Sequence, residues 1–376
     1  MEDFIVSARK YRPNSFDTVV GQESITSTLK NAINTKHLAH AYLFCGPRGV
    51  GKTTCARIFA KTINCLEPTD TGDACNNCES CQAFSSSRSF NIHELDAASN
   101  NSVEDIRLLT EKVRIPPQIG KYSVYIIDEV HMLSSSAFNA FLKTLEEPPA
   151  HAIFILATTE KQKIIPTILS RCQIYDFNRM SVIDIVKHLQ NISKAESVNI
   201  DEDSLNVIAQ KADGAMRDAL SLFDQVVSSF GKEVSYENII TNLNVLDYDY
   251  YFKFVNAFLN TKVAEVLVLF NDILSKGFDA QTFVNGIGKH LRNLLVCKDS
   301  ISIMLLQTSA QVKEKYMTQA ELCSQEFLYD ALDLVDECDQ HYRNATDKRL
   351  LVEIALMRLA QIEEFKKKSV AEDASV

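Results

Sequence analysis

One ten-residue segment constrains the fold of this chain more than any other. The apolar residues 41–44 lead into Cys45, after which the chain matches the pattern GxxxxGK[ST] and continues as an amphipathic helical pattern. In such a loop the glycines let backbone N–H groups point at phosphate oxygens, and the helix start behind it favours negative charge. The segment therefore predicts a strand, a phosphate-binding loop and a helix that begins near Lys52. The predicted contacts to a nucleotide are Gly46, Pro47, Arg48, Gly49, Val50, Gly51, Lys52, Thr53 and Thr54.

A second acidic motif complements this loop. Residues 124–127 are apolar or aromatic, and Asp128 and Glu129 follow them at the expected end of a buried strand. With ATP as the nucleotide, we expect Lys52 to neutralise charge between the β- and γ-phosphates, and Thr53 and Asp128 to hold Mg²⁺. Glu129 is then placed to orient or deprotonate the attacking water. We interpret His131 as a packing residue, because a lone histidine is often structural.

The length, composition and charge of the chain limit the classes of protein to which it can belong. A chain of 376 residues with 46% hydrophobic residues is long enough for two or three globular domains. Its start has no basic-then-apolar signal pattern, and no apolar run approaches the roughly 20 residues that cross a bilayer. We therefore expect a cytoplasmic protein without a membrane partner. The net charge of −10 means that any contact with nucleic acid must be local.

Four of the ten cysteines form a candidate metal site. Cys65, Cys75, Cys78 and Cys81 are spaced C-x9-C-x2-C-x2-C, and the other six are scattered. Clustered thiols without a secretory signal indicate metal binding, and four thiolates satisfy tetrahedral Zn²⁺ with no open position. We predict a structural zinc site. An iron–sulfur cluster and four reduced, unliganded thiols are the alternatives.

The pattern of strands and helices changes once along the chain. Up to residue 180, strand-like runs alternate with helical patterns, which predicts an α/β core with a parallel sheet flanked by helices. From Ser181 the strand signal disappears and only helical periodicity remains. The predicted strands are 41–45, 91–95, 122–127, 152–157 and 173–177. The predicted domains are a nucleotide-binding core at 1–180 with the zinc module at 65–81, a helical lid at 181–243, an all-α oligomerisation domain at 244–368 and a tail at 369–376.

Several further motifs, in a fixed order, carry a family resemblance. Together they resemble the γ/τ subunits of the bacterial DNA polymerase III clamp loader, a family of AAA+ ATPases, over nearly the whole chain. The motifs are Lys10-Tyr11-Arg12-Pro13, Val19-Val20-Gly21, the cysteine quartet, Asp128-Glu129-Val130-His131, Ala157-Thr158-Thr159, Ser170-Arg171-Cys172 and Gly214-Ala215-Met216-Arg217-Asp218-Ala219-Leu220.

The resemblance implies roles for three more residues around ATP. Thr159 corresponds to the sensor that detects the γ-phosphate from the core. Arg217 corresponds to the second sensor, which reaches the same nucleotide from the lid. Arg171 resembles the arginine finger, which acts on ATP held by a neighbouring subunit; a surface ion pair is the alternative.

The resemblance also implies contacts to the base and to DNA. Tyr11, Arg12 and Val20 resemble the segment that packs over adenine and ribose, although Tyr11 fits a core position equally well. The DNA contact would lie at a helix start, where backbone N–H groups meet phosphate. Glu104 and Asp105 in that first turn favour an ordinary helix cap instead. The candidate DNA contacts are Asn100, Asn101, Ser102 and Arg107.

The function that the resemblance implies is an ATP-hydrolysing motor subunit of the replicative clamp loader. Such a subunit loads the sliding clamp onto primer–template DNA for DNA polymerase III. The implied partners are other loader subunits, copies of this chain, the clamp and DNA, near the nucleoid. The alternatives are an AAA+ ATPase of recombination or repair, and a catalytically silent scaffold subunit of the loader.

Overall fold

The first part of the chain folds around a five-stranded parallel sheet. The computed structural model describes residues 5–69, 71–86, 88–117, 119–306, 308 and 310–373, and the side chains among them except those of 310 and 365–373. The strands are β1 (Ala41–Cys45), β2 (Ile92–Asp96), β3 (Ser123–Asp128), β4 (Ala152–Thr158) and β5 (Gln173–Asp176). Every pairing among them is parallel, and their order across the sheet is β2-β3-β4-β1-β5. The predicted α/β core is confirmed.

The sheet separates two apolar layers. Tyr42 and Phe44 of β1 belong to the hydrophobic cluster on one face, whereas Ala41 and Leu43 belong to the cluster on the other face. This alternation follows from the two-residue period of a strand. All five residues of β1 are buried, because β1 lies between β4 and β5 and both faces of the sheet are covered.

Helices connect the strands and continue beyond them. The helices up to residue 243 are α1 (Ser7–Lys10), α2 (Glu23–Asn34), α3 (Lys52–Ile63), α4 (Glu79–Ser85), α5 (Val103–Val113), α6 (Ser135–Glu146), α7 (Pro166–Leu169), α8 (Val182–Glu196), α9 (Glu202–Lys211), α10 (Met216–Phe230) and α11 (Tyr236–Leu243). Side-chain caps start several of them: the Ser134 hydroxyl accepts from the backbone N–H of Ala137 in α6, and the Ser181 hydroxyl from that of Asp184 in α8. Each cap satisfies a backbone N–H group that the first turn of a helix leaves without a partner inside the helix.

The chain divides into two compact units. One comprises residues 1–198 and 208–228, and the other comprises residues 199–207 and 229–376. In the first unit, α10 approaches the phosphate-binding loop, since the Arg217 backbone N–H donates to the Gly49 carbonyl at 3.3 Å. The predicted three-domain division at residues 180 and 243 stays a prediction.

The second unit is almost entirely helical. It also contains a short parallel pair, β6 (Asn199–Ile200) with β7 (Glu233–Val234), which the sequence pattern did not reveal because two residues show no periodicity. Its other helices are α12 (Tyr248–Leu259), α13 (Val263–Ser275), α14 (Ala280–Val296), α15 (Ala310–Leu322), α16 (Gln325–Tyr342) and α17 (Lys348–Asp373). The predicted tail therefore begins within α17, and residues 374–376 lie outside the described residues.

A buried polar network crosses the core of this second unit. The ring of His290, 1% exposed, contacts the Tyr316 hydroxyl at 2.9 Å and the Gln319 Oε1 at 3.0 Å. Gln319 in turn donates to the Phe252 carbonyl at 2.8 Å and to Asn256 at 2.9 Å. Burial lowers the pKa of His290 to about 4, so the ring is neutral near pH 7.

Among the described residues, no helix has the length and apolar character that crossing a membrane requires.

Candidate nucleotide-binding site

The predicted phosphate loop joins the end of β1 to the start of α3. Gly46, Gly49 and Gly51 adopt φ of +144°, +78° and +103°, which favour glycine over any residue with a Cβ. Space adds a second reason, because a Cβ on Gly49 would lie 2.9 Å from the Cβ of Ala215. The sequence therefore folds here into a tight loop followed by a helix that starts at Lys52, as predicted.

The other loop residues differ in their exposure. Arg48 is exposed, Val50 is buried, and Pro47, Thr53 and Thr54 are half-buried. Val50 is also held from outside the loop: Gln22, which is buried, donates from Nε2 to the carbonyls of Asn178 at 2.7 Å and Val50 at 3.4 Å. Sequence reasoning missed Gln22, because these contacts join distant parts of the chain.

Lys52 points back into the loop. Its Nζ is 2.8 Å from the Gly46 carbonyl and 2.7 Å from the Pro47 carbonyl, and the residue is 6% exposed. Burial lowers the pKa of Lys52, and the negative charges of Glu129 and Asp128 oppose that shift. The ammonium group therefore lies between the carbonyls of the loop and the acidic motif.

The register of the sheet brings the acidic motif to the loop. Cys45 of β1 is paired with Thr158 of β4, and β3 ends beside β4, so three strand ends meet at one edge. There the Thr53 hydroxyl donates to Asp128 Oδ2 at 2.7 Å. Asp128 also accepts the backbone N–H of Glu129 through Oδ1 at 3.0 Å. A hydroxyl and a carboxylate in contact are oxygen ligands of the kind that Mg²⁺ prefers.

Glu129 contacts the end of β4. The residue has φ of +48°, an uncommon conformation for a residue with a side chain, and its Oε2 accepts from Thr159 twice. The Thr159 backbone N–H donates at 3.2 Å and its hydroxyl at 2.9 Å. The structure thus brings together Lys52, Thr53, Asp128, Glu129 and Thr159, all of which the sequence analysis selected.

Arg217 and Arg12 lie among other positive charges. Arg217 lies two residues after Ala215, which packs on Gly49, and its backbone N–H donates to the Gly49 carbonyl. Partial burial lowers the pKa of Arg12, the nearby charge of Arg57 lowers it further, and Arg217 adds a smaller effect of the same sign; Glu94 opposes these shifts. Clustered guanidinium groups repel one another, so a bound anion would stabilise this arrangement.

Tyr11 and Val20 lie close to Arg12 in the sequence. The Tyr11 hydroxyl donates to Glu196 of α8, and burial followed by this hydrogen bond raises the pKa of Tyr11. Val20 is half-buried, whereas its neighbour Val19 is buried in the core. The role of Tyr11 and Val20 against adenine stays a prediction.

Arg171 lies between α7 and β5. Its guanidinium pairs with Glu146 at 2.7 Å and donates to the Thr167 carbonyl at 2.7 Å and the Ser170 hydroxyl at 3.2 Å. Its side chain is 33% exposed. A partly exposed salt bridge of this kind contributes under about 1 kcal/mol to stability, so Arg171 can exchange Glu146 for another anionic partner at little cost.

The four clustered cysteines fit a tetrahedral metal. Their Sγ atoms all lie within 4.8 Å of one another, and those of Cys65 and Cys78 are 3.9 Å apart. Four thiolates at the usual Zn–S distance are about 3.8 Å apart. The backbone N–H of Cys75 donates to Cys65 Sγ, and that of Cys78 to Cys75 Sγ, both at 3.3 Å. Such N–H···S contacts stabilise thiolates, so the residues fit zinc.

The predicted zinc module is joined to the core through Asp73. This buried carboxylate accepts the Phe16 backbone N–H at 3.1 Å and pairs with Lys30 of α2 at 2.9 Å. The module therefore packs on the same N-terminal segment that carries Tyr11 and Val20.

The start of α5 forms a capping box. Ser102 accepts from the Asp105 backbone N–H at 3.2 Å, and Asp105 accepts from the Ser102 backbone N–H at 3.2 Å. Asn100 donates to the Asp96 carbonyl at 3.0 Å, and Asn101 accepts from Ser134 through its backbone. Exposed Arg107 lies 3.7 Å from Glu104. The DNA role of this segment stays a prediction.

Comparison with known protein families gives matches along most of the chain. Residues 21–181 match the model described as DNA polymerase III, delta subunit. Residues 184–232 match the DNA polymerase III clamp loader subunit, ATPase lid domain, and residues 234–373 match DNA polymerase III subunits gamma and tau domain III.

Individual relatives agree. The chain is 41% identical to DNA polymerase III subunit tau of Bacillus subtilis over 353 residues, which are 94% of this chain and 62% of that protein. It is 37% identical to the tau subunit of Escherichia coli, covering 94% of this chain and 55% of that protein. The gamma subunit of Buchnera aphidicola is 33% identical and is matched over 97% of its length, with 95% of this chain. The chain thus spans little more than half the length of the two tau subunits.

Among solved structures, the RuvB Holliday junction branch migration motor of Thermotoga maritima is similar with a TM-score of 0.48 and 20% identity, covering 72% of this chain and 87% of that chain. That likeness is too low to favour a recombination function. The matches to gamma and tau subunits of these three organisms cover 94% or more of the chain. The chain belongs to the family of DNA polymerase III gamma and tau subunits.

Proposed function

We propose that this chain is an ATP-hydrolysing motor subunit of a bacterial clamp loader. The observation that carries the proposal is the meeting of Lys52, the Thr53–Asp128 pair and the Glu129–Thr159 pair at one edge of the sheet. In open α/β sheets ligands bind at the carboxyl ends of the strands, where this edge lies. A scaffold subunit has no need for this combination of a cation, a metal-binding pair and an oriented acid.

The residues divide the chemistry among them. Backbone N–H groups of the loop and Lys52 bind the phosphates of ATP, and Thr53 and Asp128 would hold Mg²⁺, which neutralises developing charge on the phosphates. Glu129 orients the attacking water and accepts its proton. Thr159 and Arg217 contact the γ-phosphate from the core and from α10.

Arg171 acts in trans in this proposal. Its contacts within the chain are one partly exposed salt bridge and two hydrogen bonds, which the guanidinium would exchange for ATP bound by a neighbouring subunit, either another loader subunit or a second copy of this chain. The γ-phosphate then contacts core, lid and neighbour together, so its loss on hydrolysis removes contacts that favour the closed assembly. ATP binding closes the assembly and opens the sliding clamp, and hydrolysis releases the clamp on primer–template DNA for DNA polymerase III.

Zinc has a structural role in this proposal. Cys65, Cys75, Cys78 and Cys81 would hold it and would leave no open coordination position for chemistry. It stabilises a polar insertion that is too small to bury a core of its own.

The DNA contact is proposed at Asn100, Asn101, Ser102 and Arg107. Because Ser102 and Asp105 already cap α5, the main attraction for phosphate would come from exposed Arg107. Salt titration of DNA binding by the assembled loader tests this contact. Arg107→Ala should reduce the salt slope by about one per copy, and an unchanged slope would remove Arg107 from the interface.

Measuring ATP turnover by the chain assembled with its loader partners tests the function. We expect turnover to rise when the sliding clamp and primed DNA are added together, and Lys52→Ala to abolish it. Turnover that ignores the clamp would favour a repair ATPase, and no turnover at all would favour a scaffold.

A further inference from the structure

His131 lies between Glu129 and the end of β4, although the sequence analysis treats it as a packing residue. It belongs to the 3₁₀ turn Val130–Met132, directly after Glu129, whose positive φ reverses the chain. Its side chain is 6% exposed, whereas that of Glu129 is 31% exposed. An imidazole this deeply enclosed requires partners for its ring nitrogens, because an unpaired buried polar atom is costly.

The ring nitrogens lie beside residues at or just after the ends of two strands, β3 and β4. Nδ1 lies 3.1 Å from the Thr158 hydroxyl and 3.4 Å from Glu129 Oε2, and Nε2 lies 3.4 Å from Glu160 Oε1. The Thr158 hydroxyl also accepts the Glu160 backbone N–H at 3.0 Å. Whichever nitrogen carries the proton, the imidazole therefore joins the end of β3 to the end of β4.

The end of β4 contacts both parts of the proposed catalytic site, the phosphate loop and Glu129. The Thr158 carbonyl accepts the backbone N–H of Gly46, the first loop glycine, at 3.2 Å. The next residue, Thr159, binds Glu129 Oε2, the oxygen that His131 also approaches. His131, Thr158 and Thr159 thus fix the Glu129 carboxylate relative to the phosphate loop. Without them, a carboxylate as exposed as Glu129 would sample several rotamers.

We propose that His131 is a positioning residue for Glu129. It acts through the Thr158 hydroxyl and the Glu129 carboxylate, and it touches neither nucleotide nor water. This inference rests on the proposed function, in which Glu129 acts on the attacking water. Because catalysis depends on the orientation of the base, loss of the imidazole should lower kcat and leave nucleotide affinity unchanged.

Substitutions of matched shape test the inference. Asparagine carries a polar group where Nδ1 lies, and glutamine carries one where Nε2 lies. We expect His131→Leu and His131→Gln to lower kcat of the assembled loader about 10-fold or more, and His131→Asn to restore it to within about threefold of the original chain. The dissociation constant for a fluorescent ATP analogue should stay within about twofold in all three variants.

A second variant removes the same link from the other side. Thr158→Val keeps the volume of the side chain and deletes the hydroxyl, so we expect it to lower kcat as His131→Leu does, and the double variant to be no worse than either one. If His131→Leu unfolds, which thermal melting would reveal, the Thr158→Val variant tests the positioning role instead.

The outcomes separate this inference from the proposed function. Impaired turnover in Glu129→Gln together with normal turnover in His131→Leu would overturn the inference alone. Equal loss in the Asn and Gln variants, or weaker nucleotide binding with unchanged kcat, would also overturn it, because a packing role predicts that result. Normal turnover in Glu129→Gln would contradict both proposals.

Discussion

The hydroxyl of Thr53 donates a 2.7 Å hydrogen bond to the carboxylate of Asp128, although 75 positions separate them in the sequence. Thr53 lies in the first turn of α3, behind the phosphate loop, and Asp128 ends β3. Their contact exists because β1 and β3 both pair with β4 in parallel register, which aligns their carboxyl ends. Each residue belongs to a motif that was recognisable by itself, and the pairing of the strands brings the two motifs together into one site.

Magnesium dependence tests this pair. With Mg²⁺ present, we expect the chain to bind ATP about 10-fold or more tightly than in EDTA, because the ion neutralises phosphate charge beside Thr53 and Asp128. Asp128→Asn keeps an acceptor for Thr53 and removes the charge, so it should abolish most of that difference. Equilibrium titration with a fluorescent nucleotide measures it.

Asp96→Asn is the matched control for that experiment. Asp96 is paired with Asp128 on the neighbouring strand and likewise ends its strand. Its substitution should leave the magnesium effect intact. An equal loss in both variants would mean that general charge at the sheet edge, rather than Asp128, holds the ion.

Arg171 offers a second prediction. If the guanidinium completes a neighbour's pocket, Arg171→Ala should lower turnover of the assembled loader by about 10³-fold or more, the range found for arginine fingers. Nucleotide affinity of the chain should not change. Glu146→Gln removes only the salt-bridge partner at 2.7 Å and should leave turnover within about twofold. A similar loss in both variants would indicate that the salt bridge, not the finger, matters.

Metal removal gives a third prediction. The purified chain should contain one zinc per molecule, and Cys75→Ser should lose it and lower Tm, because four thiolates hold together residues 65–81. The Phe16 amide, bonded to Asp73, should then exchange hydrogen faster. Elemental analysis and hydrogen exchange measure these effects.

Cys297→Ser is the control for that prediction, since Cys297 directly follows α14 and lies outside the cluster. It should keep its zinc. A full zinc content in Cys75→Ser would refute the assignment of the cluster, and iron in the purified chain would favour an iron–sulfur cluster instead.

The buried network around His290 makes stability depend on pH. The pKa of His290 is about 4 in the folded chain, below its ordinary value of 6.5. Between these values the unfolded chain binds the extra proton, so the contribution of His290 to stability is constant above about pH 6.5 and falls as pH drops toward 4. The full difference corresponds to about 3 kcal/mol.

Urea unfolding of the chain and of His290→Gln at a series of pH values checks this expectation. The variant should be less stable near pH 7 and should lose less stability than the original chain between pH 6.5 and 4. Parallel pH curves for the two proteins would show that the ring titrates normally.

Sequence reasoning located what depends on local pattern. The apolar run before Cys45 and the glycines of the loop are local signals, and β1 and α3 follow them closely. It did not give the strand order or the short β6–β7 pair, because pairing partners leave no trace in periodicity.

It also could not find the contacts of His131. The residue looks isolated in the sequence, and only the register of β3 and β4 puts Thr158 and Glu160 around its ring. In the same way, the bond from Tyr11 to Glu196 of α8 links positions 185 residues apart, so no spacing rule predicts it.

The most direct test of a shared ATP pocket is to mix two inactive variants. Lys52→Ala keeps Arg171 but cannot bind ATP, and Arg171→Ala binds ATP but lacks the finger. Assembled together with the loader partners, the clamp and primed DNA, they should regain turnover that neither shows alone, because the Arg171 of one copy completes the pocket of the other. A mixture as inactive as its components, or full turnover by the isolated chain, would contradict the account.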